Sequence, residues 1–345
     1  MKFSLAPSDV TAFESRILVI VSYAVTFVMF AALFNGASAH AGVQPSNGNQ
    51  SAQSIAELES ESENNDNVPT FGDTTAAIGQ STAPVQDAPV QSDATRPIVE
   101  KINEIRRLAG LQPVELDEGL SKACRLHAQY LVTNRADPKA QGLSAHTELQ
   151  ELPGYTVEGQ KVAGTSNIFW GKDIAGAVDL WMAGLYHRVP FLRPNLKRIG
   201  LGYEADVVVA DVVSGVGGFN LDSIAYPADG QSNVPTEFGV DAPDPLPKDA
   251  PRNAGYPITL LFPFVTKIAG VEAELSDSAG GKVEFHLSDP ERPATSFPQQ
   301  STICLIPIKP LAANTTYKVS IKANVDGWVV RKSWSFITRD AQARK

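Results

Sequence analysis

The residues of this chain best suited to chemistry are its two cysteines and five histidines, because thiolate and imidazole groups ligate metals and act as nucleophiles or bases. Cys124 and Cys304 are 180 residues apart, and neither belongs to a CxxC pair or another metal-ligand spacing. Cys124 falls on an apolar helix face and Cys304 within the strand-like run ICLIPI. Both are therefore predicted to be buried free thiols rather than parts of a disulfide or a metal centre.

The common motifs of nucleophilic and phosphate-binding enzymes are not present in the sequence. There is no Gly-x-Ser-x-Gly elbow and no recognisable Ser/His/Asp order. Gly215-Val-Gly-Gly218 lacks the strand-to-helix context and the length of a phosphate loop, so it is predicted to be a turn. His127 and Trp181 each lie on an apolar helical stripe, which predicts packing in the core rather than contact with a ligand.

The charge of the chain is concentrated in one stretch. The formal net charge is −9, but eight acidic residues and no Lys or Arg lie between Gly42 and Thr95. Without that stretch the formal charge is about −1, so the remaining chain is close to neutral. Nothing indicates a basic surface, and nucleic acid is excluded as a partner.

The N-terminus predicts export. Residues 17–34 form an uncharged apolar run of 18 residues, followed by Ala37-Ser38-Ala39, the small-residue pattern that a signal peptidase cleaves. We expect residues 1–39 to be a signal peptide or, as the alternative, an uncleaved signal anchor. Residues 40–95 are rich in Ser, Asn, Gln, Ala, Pro and acids, which predicts a disordered acidic linker. The rest of the chain is predicted to be secreted or in the cell envelope, with residues 17–34 as a possible anchor.

A first folded domain is predicted over residues 96–224. Apolar residues recur at helical spacing in three stripes, Gly110 is placed to end the first helix, and Asp117 is placed to cap the second. Strand-like runs follow over 199–203 and 207–213. Helices first and strands late predict an α+β domain, arranged as an α/β/α sandwich.

A second domain is predicted over residues 225–340, with a Pro-rich entry segment over 227–257. Its short apolar or alternating runs are separated by Gly, Asp, Asn and Pro, which is typical of strands and turns. The predicted strands cover 258–264, 271–275, 283–287, 303–308, 316–323 and 328–337. Six such strands predict an all-β antiparallel sandwich.

Two families are identified by resemblance. The first resemblance is carried by Asn103-Glu-Ile-Arg106, Leu116-Asp117 and His127-Ala128, and later by Trp181-Met-Ala-Gly-Leu-Tyr-His187-Arg188 and Ile199-Gly-Leu-Gly202. These strings resemble the bacterial CAP domain (SCP-like; cysteine-rich secretory protein, antigen 5, pathogenesis-related 1). The resemblance covers roughly residues 96–215. The ending Thr315-Thr-Tyr317-Lys-Val319 with Ser335-Phe336-Ile337 is similar to bacterial Ig-like domains, in which the tyrosine and phenylalanine occupy paired core strands.

The CAP resemblance implies a cleft lined by two histidines and two glutamates, which sometimes holds a divalent cation. His146 and His187 match the histidine positions, whereas Ser166 and Gly184 stand where the two glutamates are expected. Glu148, two residues from His146, is a possible substitute for a missing carboxylate. The candidate ligand-binding residues of the cleft are His146, Glu148, Ser166, Asn167, His187 and Arg188.

The missing carboxylates determine the predicted function. Two imidazoles can ligate zinc, but a catalytic zinc site generally has three protein ligands and a water. We therefore predict a binding or scaffolding module with a degenerate cleft and no required cofactor, and at most a labile Zn²⁺ on His146 and His187. Its partner would be an envelope or extracellular protein, a glycan or a lipid, with membrane contact only through an uncleaved N-terminal segment. The alternatives are a metal-assisted, peptidase-like hydrolase and a lipid or sterol carrier.

Overall fold

The computed structural model describes residues 91–218, 222–239, 241–263 and 266–341. The predicted signal segment 1–39 and residues 40–90 of the predicted linker lie outside these ranges. Within these ranges, no helix has both the length and the apolar character needed to cross a membrane.

The first part of the described chain contains helices and a small sheet. Its helices are α1 (Gln91–Leu108), α2 (Glu118–Thr133), α3 (Val157–Ala163), α4 (Ala177–Met182) and α5 (Arg188–Phe191), with 3-10 helices at Pro138–Ala140 and Gly142–His146. Its strands are β1 (Glu115–Leu116), β2 (Ser166–Trp170), β3 (Arg198–Glu204) and β4 (Val207–Asp211).

The four strands form one sheet with helices on both faces. The strand order is β1-β3-β4-β2, in which only the β1–β3 pair is parallel. Every residue of β4 is buried. Val207 and Val209 pack in one apolar cluster with α2 and α3, whereas Val208 and Ala210 pack in another with α1 and α4. This arrangement is the predicted α/β/α sandwich, and buried residues on both faces explain the continuous apolar run of β4.

Local signals at the helix ends are confirmed. The Asp117 carboxylate accepts the backbone N–H of Leu120 and caps α2. Gly110 takes the positive φ of +72° that ends α1. The start of α1 differs from the prediction, because the helix begins at Gln91 and so includes five residues, Gln91–Thr95, that were assigned to the linker. Pro97 suggested a helix boundary, since proline disfavours helical conformation in the residue before it, yet here it lies inside the helix.

Helix α2 lies directly against strand β3, and glycine makes this approach possible. A Cβ atom on Gly202 would lie 2.1 Å from the backbone nitrogen of Arg125 and 2.4 Å from the carbonyl carbon of Cys124. Both are backbone atoms of α2, so a side chain at position 202 would push the helix away from the sheet.

We expect Gly202→Ala to lower the free energy of unfolding by about 1–3 kcal/mol, because the helix must shift to admit the methyl group. Urea unfolding of the full chain measures this. Gly217→Ala is the matched control, since the nearest atom to a Cβ there is the Lys197 Cγ at 4.0 Å. Equal stability of the two variants would contradict the close packing of α2 on β3.

The second part of the described chain is built from strands. They are β5 (Ile224–Tyr226), β6 (Gln231–Val234), β7 (Ile258–Leu261), β8 (Ile268–Asp277), β9 (Phe285–Ser288), β10 (Thr302–Pro307), β11 (Thr316–Val325) and β12 (Trp328–Thr338). They form two four-stranded sheets, β5-β7-β10-β9 and β6-β12-β11-β8. The six predicted strands are confirmed, and β5 and β6 are added by the structure. The predicted wholly antiparallel pairing is wrong at one edge, because β6 pairs with β12 in parallel.

The alternating pattern of β11 and β12 shows how the second sheet faces the core. Tyr317, Val319 and Ile321 are buried, while the residues between them face outward. Tyr317 pairs with Phe336 on β12, as the sequence predicts, and their ring centroids are 5.7 Å apart. The C-terminal sheets therefore form a β-sandwich around these inward side chains.

The two parts share one core. A single apolar cluster continues from Ile102 and Trp181 of the first part to Tyr256, Ile258 and Phe336 of the second. The described residues accordingly form one compact unit. The predicted boundary near residue 225 therefore falls within a continuous packing arrangement, and strand β5, which crosses that boundary, pairs with β7 of the sandwich.

Candidate functional site

His146 is held with one ring nitrogen engaged. It ends the 3-10 helix Gly142–His146, and its Nδ1 lies 3.1 Å from the backbone oxygen of Ala163 at the end of α3. A carbonyl oxygen only accepts hydrogen bonds, so Nδ1 donates and Nε2 carries the lone pair. Burial lowers the pKa of His146, and the nearby imidazoles of His187 and His127 lower it further, against the opposing effect of the Ala163 carbonyl. The ring is therefore neutral at pH 7.

His187 is held in the same way, but by a carboxylate. It lies immediately before α5, and its Nδ1 is 2.5 Å from Oδ1 of Asp241. The other carboxylate oxygen of Asp241 accepts the backbone N–H groups of Leu185 at 2.5 Å and Tyr186 at 2.9 Å. The side chain of His187 is 17% exposed and that of Asp241 is 0% exposed. A carboxylate that already receives two N–H groups accepts a third from Nδ1. In the neutral tautomer that this contact selects, Nε2 is the nitrogen with the lone pair.

Asp241 fills the space at one of the missing glutamate positions. A Cβ atom built on Gly184 would lie only 2.7–2.9 Å from the three carboxyl atoms of Asp241. Position 184 must therefore be glycine for Asp241 to reach His187. Asp241 is not predicted from the sequence, because it lies 54 residues beyond His187 in the Pro-rich entry segment, where no periodic pattern points to the histidine.

Asn167 supports His187 from strand β2. Its Nδ2 donates to the backbone oxygen of His187 at 2.8 Å, and the residue is buried. Ser166 lies next to it, but its hydroxyl donates to the backbone oxygen of Val162 at 2.7 Å and is near the Cys124 thiol. Ser166 and Asn167, which lie in the stretch where the CAP resemblance places the first glutamate, thus donate to backbone oxygens. Neither residue supplies a negative charge.

Glu148 serves a different histidine from the one expected. Its Oε1 lies 2.9 Å from Nδ1 of His127, and its Oε2 accepts the backbone N–H of Thr156 at 2.8 Å. Nε2 of His127 in turn donates to the backbone oxygen of Ala145 at 2.9 Å. Both side chains are 0% exposed. The expectation that Glu148 replaces a cleft carboxylate is therefore wrong, whereas the prediction of a buried, hydrogen-bonded His127 is confirmed.

Arg188 points into the interior rather than into an open cleft. Its guanidinium donates to the backbone oxygens of Met182 and Pro257, the latter at 2.5 Å. It also lies over the rings of Tyr226 and Tyr256, at 5.1 and 4.5 Å from their centroids. The residue is 0% exposed, so the predicted role in contacting a cleft ligand is corrected to one of joining the first part of the chain to the second.

The thiols are not available for chemistry. Cys124 and Cys304 are both free and buried, as predicted. Burial raises the pKa of each thiol to about 12, so neither is a thiolate at neutral pH.

The last feature of the site is the set of side chains that could ligate a metal ion. Metal-ligating histidines usually donate their other ring N–H to a carboxylate or a carbonyl, which is the arrangement of both His146 and His187. Over the described ranges, however, no group of three or more His, Cys, Asp or Glu side chains is placed to hold a metal. Among the described residues, the three protein ligands of a catalytic zinc centre are therefore not assembled around these histidines.

Residues 99–207 match the family model described as "CAP: Cysteine-rich secretory protein family". The matched range contains His146, His187 and strands β1, β2 and β3, and it ends at Val207, the first residue of β4. It ends before Asp241, which therefore comes from outside the matched region.

Individual proteins also match part of the chain. It is 30% identical over 129 residues to "Uncharacterized protein YkwD" of Bacillus subtilis (strain 168), which is 37% of this chain and 49% of that protein. The chain thus spans about half the length of this curated relative. CopC from Methylosinus trichosporium OB3b is 17% identical with a TM-score of 0.23, covering 35% of this chain and 94% of CopC. A DUF4426 family protein from Pseudomonas aeruginosa PAO1 is 14% identical with a TM-score of 0.20, covering 26% and 77%. At these scores neither structure bears on the fold.

Proposed function

Since this chain contains a CAP domain at residues 99–207, we propose that it is a ligand-binding and scaffolding protein of the cell envelope or the extracellular space, with the His146–His187 cleft as its recognition site. The observation that carries the proposal is the state of the two imidazoles. Each has Nδ1 engaged by an acceptor, so in the neutral ring Nε2 carries the lone pair. Two such oriented imidazoles in one cleft would suit a ligand with N–H or O–H groups.

The chemistry of the cleft defines the ligand class. Neutral imidazole nitrogens accept hydrogen bonds from amides and hydroxyls, so a peptide segment or a glycan of the envelope is the expected partner. The same nitrogens bind a labile divalent cation such as Zn²⁺, but with only two ligands the affinity is modest. The proposed location outside the cytoplasm is supported by the apolar run over residues 17–34 and the small-residue pattern after it.

A second candidate function, hydrolysis, is favoured by one observation. An imidazole whose Nδ1 is held by a buried carboxylate is the arrangement of a general base, and His187 with Asp241 has it. This reading needs no metal and would place Nε2 of His187 toward the substrate. Release of peptidoglycan fragments or peptides by the full chain, lost in His187→Ala, would favour hydrolysis over binding alone.

The module after the CAP domain is proposed to be an Ig-like sandwich. Support comes from Tyr317, whose hydroxyl accepts the backbone N–H of Ala312 at 2.8 Å. A tyrosine that bonds to backbone a few residues upstream is a recurrent feature of Ig-type sandwiches. Its paired position opposite Phe336 agrees with the sequence pattern.

Zn²⁺ is the probe that tests the cleft. We expect calorimetry on the full chain to show binding in the micromolar range that disappears in the His146→Ala, His187→Ala double variant, because those two residues hold the free lone pairs. His286→Ala is the control, since it removes an imidazole of strand β9 in the sandwich. If zinc does not bind, or binds the double variant as tightly as the parent chain, the two histidines are not a recognition site.

A further inference from the structure

We infer that Asp241 is a positioning residue for His187, and that the module following the CAP domain is therefore part of the recognition site rather than a spacer. The inference rests on the proposed function, because the site it completes is the His146–His187 cleft. It concerns a residue 34 positions beyond the matched family region, which ends at residue 207.

The carboxylate of Asp241 is built into its position. All of its contacts described above are donors: two backbone N–H groups on Oδ2 and the imidazole Nδ1–H on Oδ1. A fully buried carboxylate with three donors is oriented by the fold, not by solvent. Leu185, Tyr186 and His187 are consecutive, so the carboxylate of Asp241 fixes both the backbone conformation just before α5 and the orientation of the His187 ring.

The segment that carries Asp241 is docked onto the CAP domain on both sides of this residue. Two positions earlier, the backbone N–H of Gly239 donates to the backbone oxygen of Ala183 at 3.0 Å. Later in the chain, the backbone oxygen of Pro257 accepts from Arg188. Asp241 is thus held between two contacts that join the same pair of modules.

A third segment of the second module reaches the residue beside His187. The hydroxyl of Tyr186 is 2.7 Å from Oγ1 of Thr295, and the Tyr186 ring packs edge-on against Phe297 with centroids 5.1 Å apart. Phe297 is about half exposed, so it forms an apolar surface beside Tyr186. The second module therefore also holds the side chain of the residue that precedes His187 in the chain.

The chemical consequence is a defined tautomer. With Nδ1–H donated to Asp241, the neutral ring of His187 carries its lone pair on Nε2, which can then accept a hydrogen bond, bind a cation or remove a proton. Without an acceptor at Nδ1, the neutral ring is free to place its proton on Nε2, which blocks all three roles. Asp241 would act on the ligand only through His187.

Asp241→Asn tests the positioning role, because asparagine has nearly the same shape as aspartate but carries an amide group instead of a carboxylate. Its amide oxygen is expected to stay with the two backbone N–H groups, which places the amide NH₂ against Nδ1 of His187. Nδ1 must then accept, so the proton moves to Nε2 and the tautomer is inverted. We expect long-range ¹H–¹⁵N spectra of histidine-labelled full chain to show Nδ1-protonated His187 in the parent protein and Nε2-protonated His187 in the variant. The signal is assigned by its loss in His187→Ala.

Zinc affinity gives a second readout. Removing the acceptor behind a metal-ligating histidine typically weakens binding by about 10–100-fold, and we expect that range for Asp241→Asn. Asp249→Asn makes the same chemical change at an exposed position of the same segment and should alter neither the tautomer nor the affinity.

The parent chain alone can overturn the inference, even if Asp241→Asn does not fold. An Nε2-protonated His187 in the parent chain would show that Asp241 does not set the tautomer. An unchanged tautomer in a folded Asp241→Asn variant would do the same. Absence of zinc binding with an Nδ1-protonated His187 would instead count against the proposed function and leave the positioning role of Asp241 standing.

Discussion

Arg188→Ala is expected to lower the free energy of unfolding by about 3–5 kcal/mol. The guanidinium is fully buried, donates to the backbone oxygens of Met182 and Pro257, and lies over the rings of Tyr226 and Tyr256. Alanine would leave buried carbonyl oxygens without donors and a cavity between two aromatic rings. The contacts cross from the CAP domain to the sandwich, so their loss also weakens the docking of the two modules.

Urea unfolding of the full chain, followed by tryptophan fluorescence, measures this loss. Trp181 reports on the CAP domain and Trp334 on the sandwich. Arg331→Ala, at an exposed position of β12, is the control and should change stability by less than about 0.5 kcal/mol. Arg188→Lys should be destabilising too, because an ammonium group cannot reproduce the planar fork of guanidinium donors. A stable Arg188→Ala variant would mean that the buried guanidinium does not join the modules.

Glu148→Ala is the second change with a large expected effect, about 3–5 kcal/mol of lost stability. The carboxylate accepts from His127 on one oxygen and from the backbone N–H of Thr156 on the other, in a site closed to solvent. Its removal leaves a buried imidazole nitrogen and a buried backbone N–H unpaired. Breaking one partner of a buried pair costs more than the pair itself contributes, because the remaining polar groups stay desolvated.

Thermal and urea unfolding of three variants test the coupling. The double variant His127→Ala, Glu148→Ala should lose less stability than the sum of the two single losses, since each single change already disrupts the shared contact. Glu151→Ala, at an exposed position in the following turn, serves as control. Additive losses for His127 and Glu148 would refute the paired arrangement.

Much of the fold follows from short-range patterns. Helix α2 combines an apolar stripe with a capping aspartate at Asp117, and buried residues alternate with less buried ones over 317–323 of β11 and 334–338 of β12. Such signals depend on residues within about one turn or one strand pair, so the helix and the strands can be predicted without knowledge of tertiary contacts. The start of α1 could not be predicted in the same way. Pro97 locally disfavours a helix at this point, but the tertiary packing of Ile98 and Ile102 stabilises it.

The candidate site also has features that the sequence predicts and features that depend on tertiary contacts. His146, His187 and the absence of a carboxylate at Ser166 and Gly184 could be recognised from the sequence, because the CAP motifs mark those positions. The partner of each imidazole could not. Glu148 lies two residues from His146 in sequence, yet the fold directs it to His127, 21 residues away.

By itself, the sequence predicted three helices of the first part, six strands of the sandwich, the cap at Asp117 and the burial of both cysteines. The CAP resemblance named His146 and His187 as candidate cleft histidines. Tertiary structure alone decided which acid serves which histidine and that Asp241 enters the cleft from the second module. The physical reason is range: propensity and periodicity act over a few residues, whereas the Asp241–His187 contact spans 54 residues and exists only because Gly184 leaves room for it and the two modules share one core.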